Sequence, residues 1–414
     1  MASILLVPHA LAGHVEPCVA LGQALRHAGH RVSVYVSGQW SARVRQAGLD
    51  VSAPARWRSP AAGPAPAARA PAARAPAARA PAAHALAARS TAAAWQDLVF
   101  GSIVDMTSDI EGAARQCAAD VVVGDVFMPG AGLAAQRCGL AWASMCCSPI
   151  PLLDAYKVCF SPTAQAWFEA PETLRELGVT HGPVNLLERV SPQLHLIPTT
   201  PRFAGQPRLP GSVALVGPLT GPAEVRRNPG RPRVAVTTTS VPAWQLGAHA
   251  AGHERYLRLA VAALSALPVD AEVVLPAGTD AAALGPASPT VSCGGPAPHD
   301  ELFDRCSAVV TPAGWGTVGR ALVRGLPLVL VPIVNDQRYI ADRCEQLGLG
   351  IALDPLGLSE PDLREAIHTV CADASYSAAA EEMAAHFRAA AALPSSASLV
   401  AALASTPIRA GAPL

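Results

Sequence analysis

The segment from Ser307 to Gln337 constrains the fold of this 414-residue chain more than any other. Its sequence, SAVVTPAGWGTVGRALVRGLPLVLVPIVNDQ, contains an apolar run, a glycine-rich turn, a helical pattern and a second apolar run. This order is typical of a β-α-β unit with parallel strands. The turn that opens such a helix offers backbone N–H groups and a positive helix end, which suit a phosphate. The segment therefore predicts an α/β protein with an anion site at one sheet edge.

The same alternation of strand and helix patterns recurs in both halves of the chain. Predicted strands cover residues 4–7, 31–36, 121–123, 141–145, 234–237, 272–275, 308–311 and 327–332, and predicted helices cover 17–27, 254–267, 317–324 and 338–347. Two such series predict two Rossmann-like, doubly wound domains whose sheets face each other across a cleft.

Composition shifts suggest the domain boundaries. We expect an N-terminal domain over 1–216, a linker rich in Pro, Gly and Arg over 217–232, and a C-terminal domain over 233–395. The remaining segment, 396–414, is expected to form a helix that packs back on the N-terminal domain. Within the first domain, residues 61–86 repeat PAARA, and a proline every five residues excludes a regular helix. We expect an extended or disordered surface insertion there.

Charge and apolar content exclude several functional classes. The chain is 51% hydrophobic, as in a globular protein, and its 31 basic residues balance 31 acidic ones. The chain lacks the excess of basic residues that would indicate nucleic-acid binding. No apolar run reaches the roughly 18 residues that a membrane-spanning helix needs. A strand-like run begins directly at the N-terminus without a basic region, so no signal peptide is expected. Ten cysteines without a CxxC pair predict free thiols in the cytoplasm and no metal site.

The glycine pattern Gly314-Trp-Gly316-Thr-Val-Gly319 fits GxGxxG, and Asp336 follows roughly 20 residues later. Taken alone, this pattern indicates a dinucleotide-dependent oxidoreductase. Its late position and the absence of a similar fingerprint in the first β-α turn, PHALAGHVEP, argue against that assignment. A tight turn with close helix–strand packing is the purely structural alternative.

Polar residues at strand ends are the candidates for chemistry. His14 follows the first strand, just before the predicted helix, and its imidazole could take a proton from a hydroxyl near neutral pH. Asp125 ends another strand and could hold one ring nitrogen, although a strand-end aspartate often only caps a helix. Asp336 and Gln337 could hydrogen-bond vicinal hydroxyls of a sugar. A helix cap at Asp336 is equally consistent with the pattern.

Four collinear motifs resemble those of a known family. AGHVEPCVALGQALRHAGHRV resembles the pattern GHxxPxxxLxxxLxxxGHxV, and ADVVVGDVF and ALVGP resemble two later landmarks. PHDELFDRCSAVVTPAGWGTVGRALVRGLPLVLVPIVNDQ resembles a donor-site signature. The family is that of the nucleotide-sugar-dependent glycosyltransferases with the GT-B fold, which includes macrolide and plant natural-product glucosyltransferases.

The resemblance implies an inverting transfer of a hexose or deoxyhexose from a UDP- or TDP-sugar. It implies a small, largely apolar acceptor, such as an antibiotic aglycone, with no metal or cofactor and with a monomeric or homodimeric enzyme. His14 matches the general base and Asp125 its acidic partner. The diphosphate is placed at Thr239, Ser240, Gly314, Gly316 and Thr317, the transferred sugar at Asp336, Gln337 and Trp315, and the base at Ala297 and His299.

Three departures from the family pattern concern the donor site. Pro312 replaces a histidine that contacts the diphosphate, and proline offers neither charge nor N–H. Arg320 replaces a glutamate on the ribose. Gly295-Pro296-Ala297 replaces an aromatic residue that stacks on the base. The changes at Pro312 and Arg320 leave a binding or helper protein without transfer activity as an alternative. The retained residues His14, Asp125, Asp336 and Gln337 disfavour it.

Overall fold

The computed structural model describes residues 1–59, 100–149, 168–220, 223, 230–241, 246, 249–390 and 395–405. The predicted insertion at 61–86 lies outside the described residues, and so do linker positions 221–222 and 224–229. Within the described ranges, no helix is both long and apolar enough to cross a membrane.

A sheet of seven parallel strands forms the first half, in the order β3-β2-β1-β4-β5-β6-β7. Its strands are Ser3–Val7 (β1), Arg31–Tyr35 (β2), Asp50–Ser52 (β3), Val121–Asp125 (β4), Ala141–Met145 (β5), His195–Ile197 (β6) and Val213–Leu215 (β7). The helices between them are Ala12–His27 (α1), Gly38–Gln46 (α2), Ile103–Gln116 (α3), Pro129–Arg137 (α4), Pro171–Glu176 (α5) and Pro201–Ala204 (α6).

A second sheet, of six parallel strands, has the order β10-β9-β8-β11-β12-β13. Its strands are Arg233–Val236 (β8), Asp270–Val274 (β9), Val291–Gly294 (β10), Ala308–Thr311 (β11), Leu328–Leu330 (β12) and Gly350–Ala352 (β13). The helices of this half and of the C-terminus are Ala250–Ser265 (α7), His299–Phe303 (α8), Trp315–Val323 (α9), Gln337–Gln346 (α10), Glu360–Ala372 (α11), Ala374–Ala390 (α12) and Ser396–Leu403 (α13). The predicted doubly wound α/β class is confirmed.

Each sheet has one place where the strand order reverses. In the first sheet the chain winds outward from β1 in one direction and from β4 in the other, so the first switch point lies between β1 and β4. In the second sheet the corresponding second switch point lies between β8 and β11. Loops at the carboxyl ends of such strands diverge and leave a crevice where ligands bind.

The central strands are buried on both faces, as parallel sheets covered by helices require. Every residue of β1, β4 and β5 is buried. Two glycines let neighbouring elements approach closely. A Cβ on Gly124 would lie 2.5 Å from the Cβ of Ala131, and one on Gly350 would lie 2.0 Å from the carbonyl oxygen of Leu328.

The C-terminal helix α13 returns to the first sheet. Ala397 and Val400 are buried in one cluster with Ile4 and Val121 of the first sheet and Leu21 of α1. The preceding helix, α12, instead packs against α9 beneath the second sheet. The chain therefore connects the two halves at two places.

One predicted helix boundary is wrong and matters for the site. The helix predicted over 17–27 begins at Ala12, so His14 lies in its first turn rather than in the preceding loop. Proline favours a first helical position, which suggested a start at Pro17. The helix accepts Pro17 in its second turn, although a proline there cannot donate to the carbonyl oxygen of Gly13.

Candidate active site

The first switch point brings His14 and Asp125 together. Asp125 ends β4, and His14 lies in α1 directly after the neighbouring strand β1. Nδ1 of His14 lies 2.7 Å from Oδ2 of Asp125. The carboxylate side chain is fully buried, whereas the imidazole keeps 13% of its surface exposed. One nitrogen of the ring is therefore anchored while the ring still reaches the cleft.

Both carboxylate oxygens of Asp125 are occupied. Oδ1 accepts a hydrogen bond of 2.8 Å from the backbone N–H of Phe127, which fixes the plane of the group. A carboxylate can only accept, so Nδ1 of His14 carries the proton of their shared hydrogen bond. The lone pair of a neutral imidazole is then on Nε2. The sequence predicted this pair, and the structure supplies the tautomer that a general base needs.

Cys147 is a third member of the cluster that the sequence did not reveal. Its Sγ lies 3.4 Å from Nε2 of His14, on a segment that directly follows β5. The two residues are 133 positions apart in the chain, and only the order of β1, β4 and β5 brings them together. Adjacent apolar cysteines carry no signal for such a contact.

Aromatic rings line the same part of the cleft. His9 packs edge-on against His14, with ring centroids 5.2 Å apart, and Phe127 does so at 5.5 Å. Burial, followed by the nearby charge of His14, lowers the pKa of His9 to about 3. His9 is therefore a neutral wall residue at physiological pH. The sequence did not distinguish it from the other histidines.

The second switch point presents the start of α9. Gly314 is the N-cap residue, and its carbonyl accepts from the N–H groups of both Thr317 and Val318. Within the described part of the chain, no acceptor is recorded for the N–H groups of Gly314, Trp315 and Gly316. The expected set of donors over 314–317 is thus reduced to the first three, because the N–H of Thr317 is already used.

The loop after β8 contributes hydroxyl groups to the same edge. Oγ1 of Thr239 accepts from the N–H of Val241 at 3.2 Å and closes a local turn, while Ser240 is exposed. Oγ1 of the buried Thr237 has no hydrogen-bond partner among the described residues. The second switch point therefore holds polar groups in excess of the partners that the protein supplies.

Ser240 and Gly316 face the first turn of α1 across the cleft. A Cβ built on Gly13 would lie 3.8 Å from Oγ of Ser240, and a Cβ built on Gly316 would lie 3.9 Å from Cα of Gly13. The two switch points consequently oppose each other. His14 and the helix start at α9 therefore belong to one site.

Asp336 and Gln337 follow β12 at the same edge of the second sheet. Asp336 is hydrogen-bonded to the side chain of Ser148, and burial is the main cause that raises the pKa of its carboxyl group. The charge of His14 lies near enough to oppose that shift. Gln337 uses Oε1 to accept from the N–H groups of Ile333 and Val334, at 2.8 and 2.9 Å.

Trp315 lies in the core instead of lining the cleft. It is 5% exposed, donates from Nε1 to the carbonyl of Pro198 at 2.8 Å, and packs on Phe203 with ring centroids 4.7 Å apart. The indole, which the resemblance placed at the sugar, therefore packs against the segment that contains Pro198 and Phe203. The last glycine of the motif, Gly319, allows close packing, since a Cβ there would lie 3.3 Å from Pro218.

Arg320 belongs to a charge network between the two halves. Nη1 donates to the carbonyl of Gly316 at 2.9 Å, and Nε donates to Asp300 at 3.3 Å. Nη2 lies 3.9 Å from Glu16 of α1, which Arg43 holds with two hydrogen bonds of 2.8 and 2.9 Å. Its guanidinium group thus places a positive charge beside the start of α9.

The residues expected to contact the nucleotide base, Ala297 and His299, lie beside this charge network. His299 begins α8 and stacks on Phe303 with ring centroids 5.2 Å apart, and Ala297 packs against the core below the second sheet. Burial, then the positive charge of Arg320, lowers the pKa of His299 to about 4. A neutral imidazole face is therefore available at this end of the cleft.

Comparisons with known proteins agree with this architecture. Residues 260–405 match the family model of the erythromycin biosynthesis protein CIII-like C-terminal domain. The 4'-demethylrebeccamycin synthase of Lentzea aerocolonigenes is 26% identical over 406 residues, which cover 86% of this chain and 89% of that protein.

Solved structures of similar proteins cover almost the whole chain. The calicheamicin glycosyltransferase CalG4 superposes with a TM-score of 0.70 at 21% identity over 98% of both chains. The spinosyn rhamnosyltransferase SpnG, solved with thymidine diphosphate, superposes with a TM-score of 0.67 at 23% identity, over 97% of this chain and 99% of its own. The chain shares the GT-B fold of these natural-product glycosyltransferases, and its residues 260–405 are similar to the EryCIII-like C-terminal domain.

Proposed function

We propose that this protein transfers a hexose or deoxyhexose from a UDP- or TDP-sugar to a hydroxyl group of a small, largely apolar natural product, with inversion at the anomeric carbon. The observation that carries the proposal is the hydrogen-bonded His14–Asp125 pair, which faces the start of α9 across the cleft. The thymidine diphosphate complex of SpnG supports a nucleotide-sugar donor. Names of the similar proteins, which include rebeccamycin, calicheamicin and spinosyn enzymes, support the acceptor class.

His14 acts as the general base in this proposal. The acceptor hydroxyl donates its proton to Nε2 while its oxygen attacks the anomeric carbon from the face opposite the diphosphate. The bond between that carbon and the phosphate oxygen breaks, and the diphosphate leaves. Asp125, fixed by Phe127, stabilises the resulting imidazolium ion.

The start of α9 stabilises the leaving diphosphate. The N–H groups of Gly314, Trp315 and Gly316 and the positive helix end meet the charge that develops on the phosphate oxygens. Arg320 adds a cation next to this turn, where Pro312 offers no side-chain donor. These groups suffice for the charge, so the proposal includes no metal ion.

The remaining contacts with the nucleotide sugar are those that the family resemblance implies. Asp336 and the amide of Gln337 bind the hydroxyls of the transferred sugar. Thr239 and Ser240 contribute to binding of the diphosphate, and His299 and Ala297 lie beside the nucleotide base. Asp336 supports this assignment most directly, because it is hydrogen-bonded to Ser148, next to Cys147, whose sulfur contacts His14.

A pair of substitutions on α1 tests the proposal. Wild type, His14→Asn and His27→Asn are assayed with UDP- and TDP-sugars and a panel of aromatic and polyketide aglycones, and nucleoside diphosphate binding is measured by calorimetry. His27 is exposed on the same helix, so its variant is the control. We expect transfer to fall by about 10²- to 10⁴-fold in His14→Asn only, without loss of nucleotide binding.

Two outcomes would replace the proposal. Nucleotide-sugar binding by the wild type without transfer to any acceptor would favour the helper protein that Pro312 and Arg320 suggest. Thermal stabilisation by NADH and not by any nucleotide sugar would favour an oxidoreductase. The product anomer, determined by NMR from a donor of known configuration, checks inversion separately.

A further inference from the structure

The thiol of Cys147 has no function in the proposed transfer, although it lies beside the base. Its Sγ is 3.4 Å from Nε2 of His14, whose Nδ1 is 2.7 Å from Asp125. Ligand atoms of these three side chains lie within 4.8 Å of one another. Across the described ranges, this is the one group of three His, Cys, Asp or Glu side chains near enough to share a metal ion.

The distance between sulfur and nitrogen fits a tetrahedral zinc ion. Zinc binds thiolate sulfur at about 2.3 Å and imidazole nitrogen at about 2.0 to 2.1 Å, so a tetrahedral angle separates the two ligand atoms by about 3.5 Å. The separation of 3.4 Å between Cys147 and His14 is close to this value. A small rotation of the thiol therefore completes the geometry for these two ligands.

Asp125 provides the support that a metal-bound histidine requires. Histidine ligands usually donate their second ring N–H to a carboxylate or carbonyl, which orients the ring and increases the basicity of the ligand nitrogen. His14 makes such a contact through Nδ1, and Asp125 is fixed by the N–H of Phe127. Nε2 is left for a metal.

The electrostatic surroundings favour a cation. The carboxylate of Asp125 belongs to the same cluster, with ligand atoms of all three side chains within 4.8 Å of one another. Asp336 is hydrogen-bonded to Ser148, the residue next to Cys147, and adds a second carboxylate to this region. A divalent cation would offset the negative charge that a Cys147 thiolate adds to these two carboxylates.

We propose that Cys147 and His14 form a zinc site that inhibits the enzyme by occupying its base. Zn²⁺ binds Sγ of Cys147 and Nε2 of His14, with Asp125 orienting the ring through Nδ1. The thiol loses one proton to the buffer as the Zn–S bond forms. The lone pair of Nε2 is then no longer available for the acceptor's proton. The inhibition, unlike the metal binding, rests on the proposed function.

Metal binding can be measured without any sugar transfer. The protein is freed of metal by a chelator, titrated with Co²⁺ and followed by absorbance for thiolate-to-cobalt charge transfer, and Zn²⁺ affinity is measured by competition. Cys147→Ser is compared with Cys146→Ser, since the neighbouring Cys146 is 3% exposed and its sulfur instead accepts from the N–H of Ser148.

We expect one Zn²⁺ per chain for the wild type and for Cys146→Ser. In Cys147→Ser the affinity falls at least tenfold and the charge-transfer band disappears, and in Asp125→Asn the affinity falls about tenfold. A band and an affinity that survive in Cys147→Ser would overturn the inference.

Transfer assays separate this inference from the proposed function. Each variant is assayed with and without Zn²⁺, and inhibition is expressed relative to its own zinc-free rate. We expect inhibition in the wild type and in Cys146→Ser and at least tenfold weaker inhibition in Cys147→Ser. Zinc binding without transfer to any acceptor contradicts only the proposed function, whereas transfer that is insensitive to zinc contradicts only the inference.

Discussion

The two switch points that face each other across the cleft differ in how their polar groups are satisfied. At the first, His14, Asp125 and Cys147 are all hydrogen-bonded to protein groups, and the neutral His9 beside them is the exception, since its buried Nδ1 has no partner among the described residues. At the second, three N–H groups at the start of α9 and the hydroxyl of Thr237 have no partner recorded among the described residues.

This difference indicates a division of labour. A base must have the right tautomer and orientation before the substrate arrives, so its neighbours are part of the protein. Donors for a diphosphate instead gain their acceptors from the ligand, and buried polar groups without partners are otherwise costly. We therefore expect substitutions of the His14–Asp125 pair to affect the rate of transfer, and those at the start of α9 to affect stability and donor binding.

Replacing Asp125 by asparagine should have the largest effect. The amide can still contact the ring but no longer stabilises an imidazolium ion or fixes the tautomer with the proton on Nδ1. We expect transfer to fall by about a thousandfold, equivalent to about 4 kcal/mol, with unchanged nucleotide binding. Steady-state kinetics and calorimetry test this, and a loss of nucleotide affinity equal to the loss of rate would contradict the division.

Replacing Trp315 by leucine should affect stability rather than sugar recognition. The change leaves a void beside Phe203 and removes the donor to the carbonyl of Pro198. We expect the free energy of unfolding to fall by about 3 kcal/mol. Thermal denaturation measures this change. The affinity for a nucleotide sugar relative to the free nucleotide should be retained, and a selective loss of it would restore the sugar contact that the sequence implied.

His9 gives a pH-dependent test at the first switch point. Its pKa is lowered to about 3 by burial, so below pH 6.5 the unfolded chain binds a proton that the folded chain does not. The contribution of His9 to the free energy of unfolding is therefore complete above pH 6.5. It decreases as the pH falls towards 3, by up to about 1.4 kcal/mol per pH unit.

The control for this test is a second buried histidine. Unfolding of wild type, His9→Asn and His195→Asn is compared at pH 7 and pH 5, because burial also lowers the pKa of His195, to about 4, but this residue lies away from the cleft on β6. Each variant should show a smaller loss of stability at pH 5 than the wild type. An unchanged pH dependence in His9→Asn would show that His9 is not buried in its neutral form.

Ala313→Gly should give the smallest effect. Ala313 precedes the α9 start with φ of 69°, a left-handed conformation that costs a residue with a side chain about 1–2 kcal/mol. Glycine removes this strain, but the more flexible unfolded chain and the lost buried methyl offset it to within about 1 kcal/mol. Ala118→Gly is the control, because Ala118 has φ of 47° and is exposed. We expect this control, without a buried methyl to lose, to be the more stabilised variant in chemical denaturation.

Much of the framework could be predicted because it depends on local patterns. The strands over 141–145 and 308–311 have the predicted bounds, since an apolar run of that length between turn residues is a strong signal. The strands β6 and β7 were not predicted because three residues are too few to show a periodicity, and neither lies in a longer apolar run like the one around β12.

Contacts between distant segments were harder to predict. His14 and Asp125 were found because both lie at strand ends, where α/β folds present chemistry. The contact of Cys147 with His14 and the ion pair of Arg320 with Glu16 depend on strand order and on the approach of the two halves. Neither contact produces a recognisable pattern in the local sequence. The burial of Trp315 was likewise hidden, because its glycine-rich surroundings resemble an exposed loop.

The return of α13 to the first sheet limits how the cleft can open. Because the chain passes from β7 to β8 and again from α12 to α13, two covalent crossings join the halves. When the two halves are joined at two points, they can rotate easily against each other only about the line through those points. We therefore expect substrate entry to follow a single hinge axis. Ending the chain before Ser395 would release the second attachment and leave the halves free to twist.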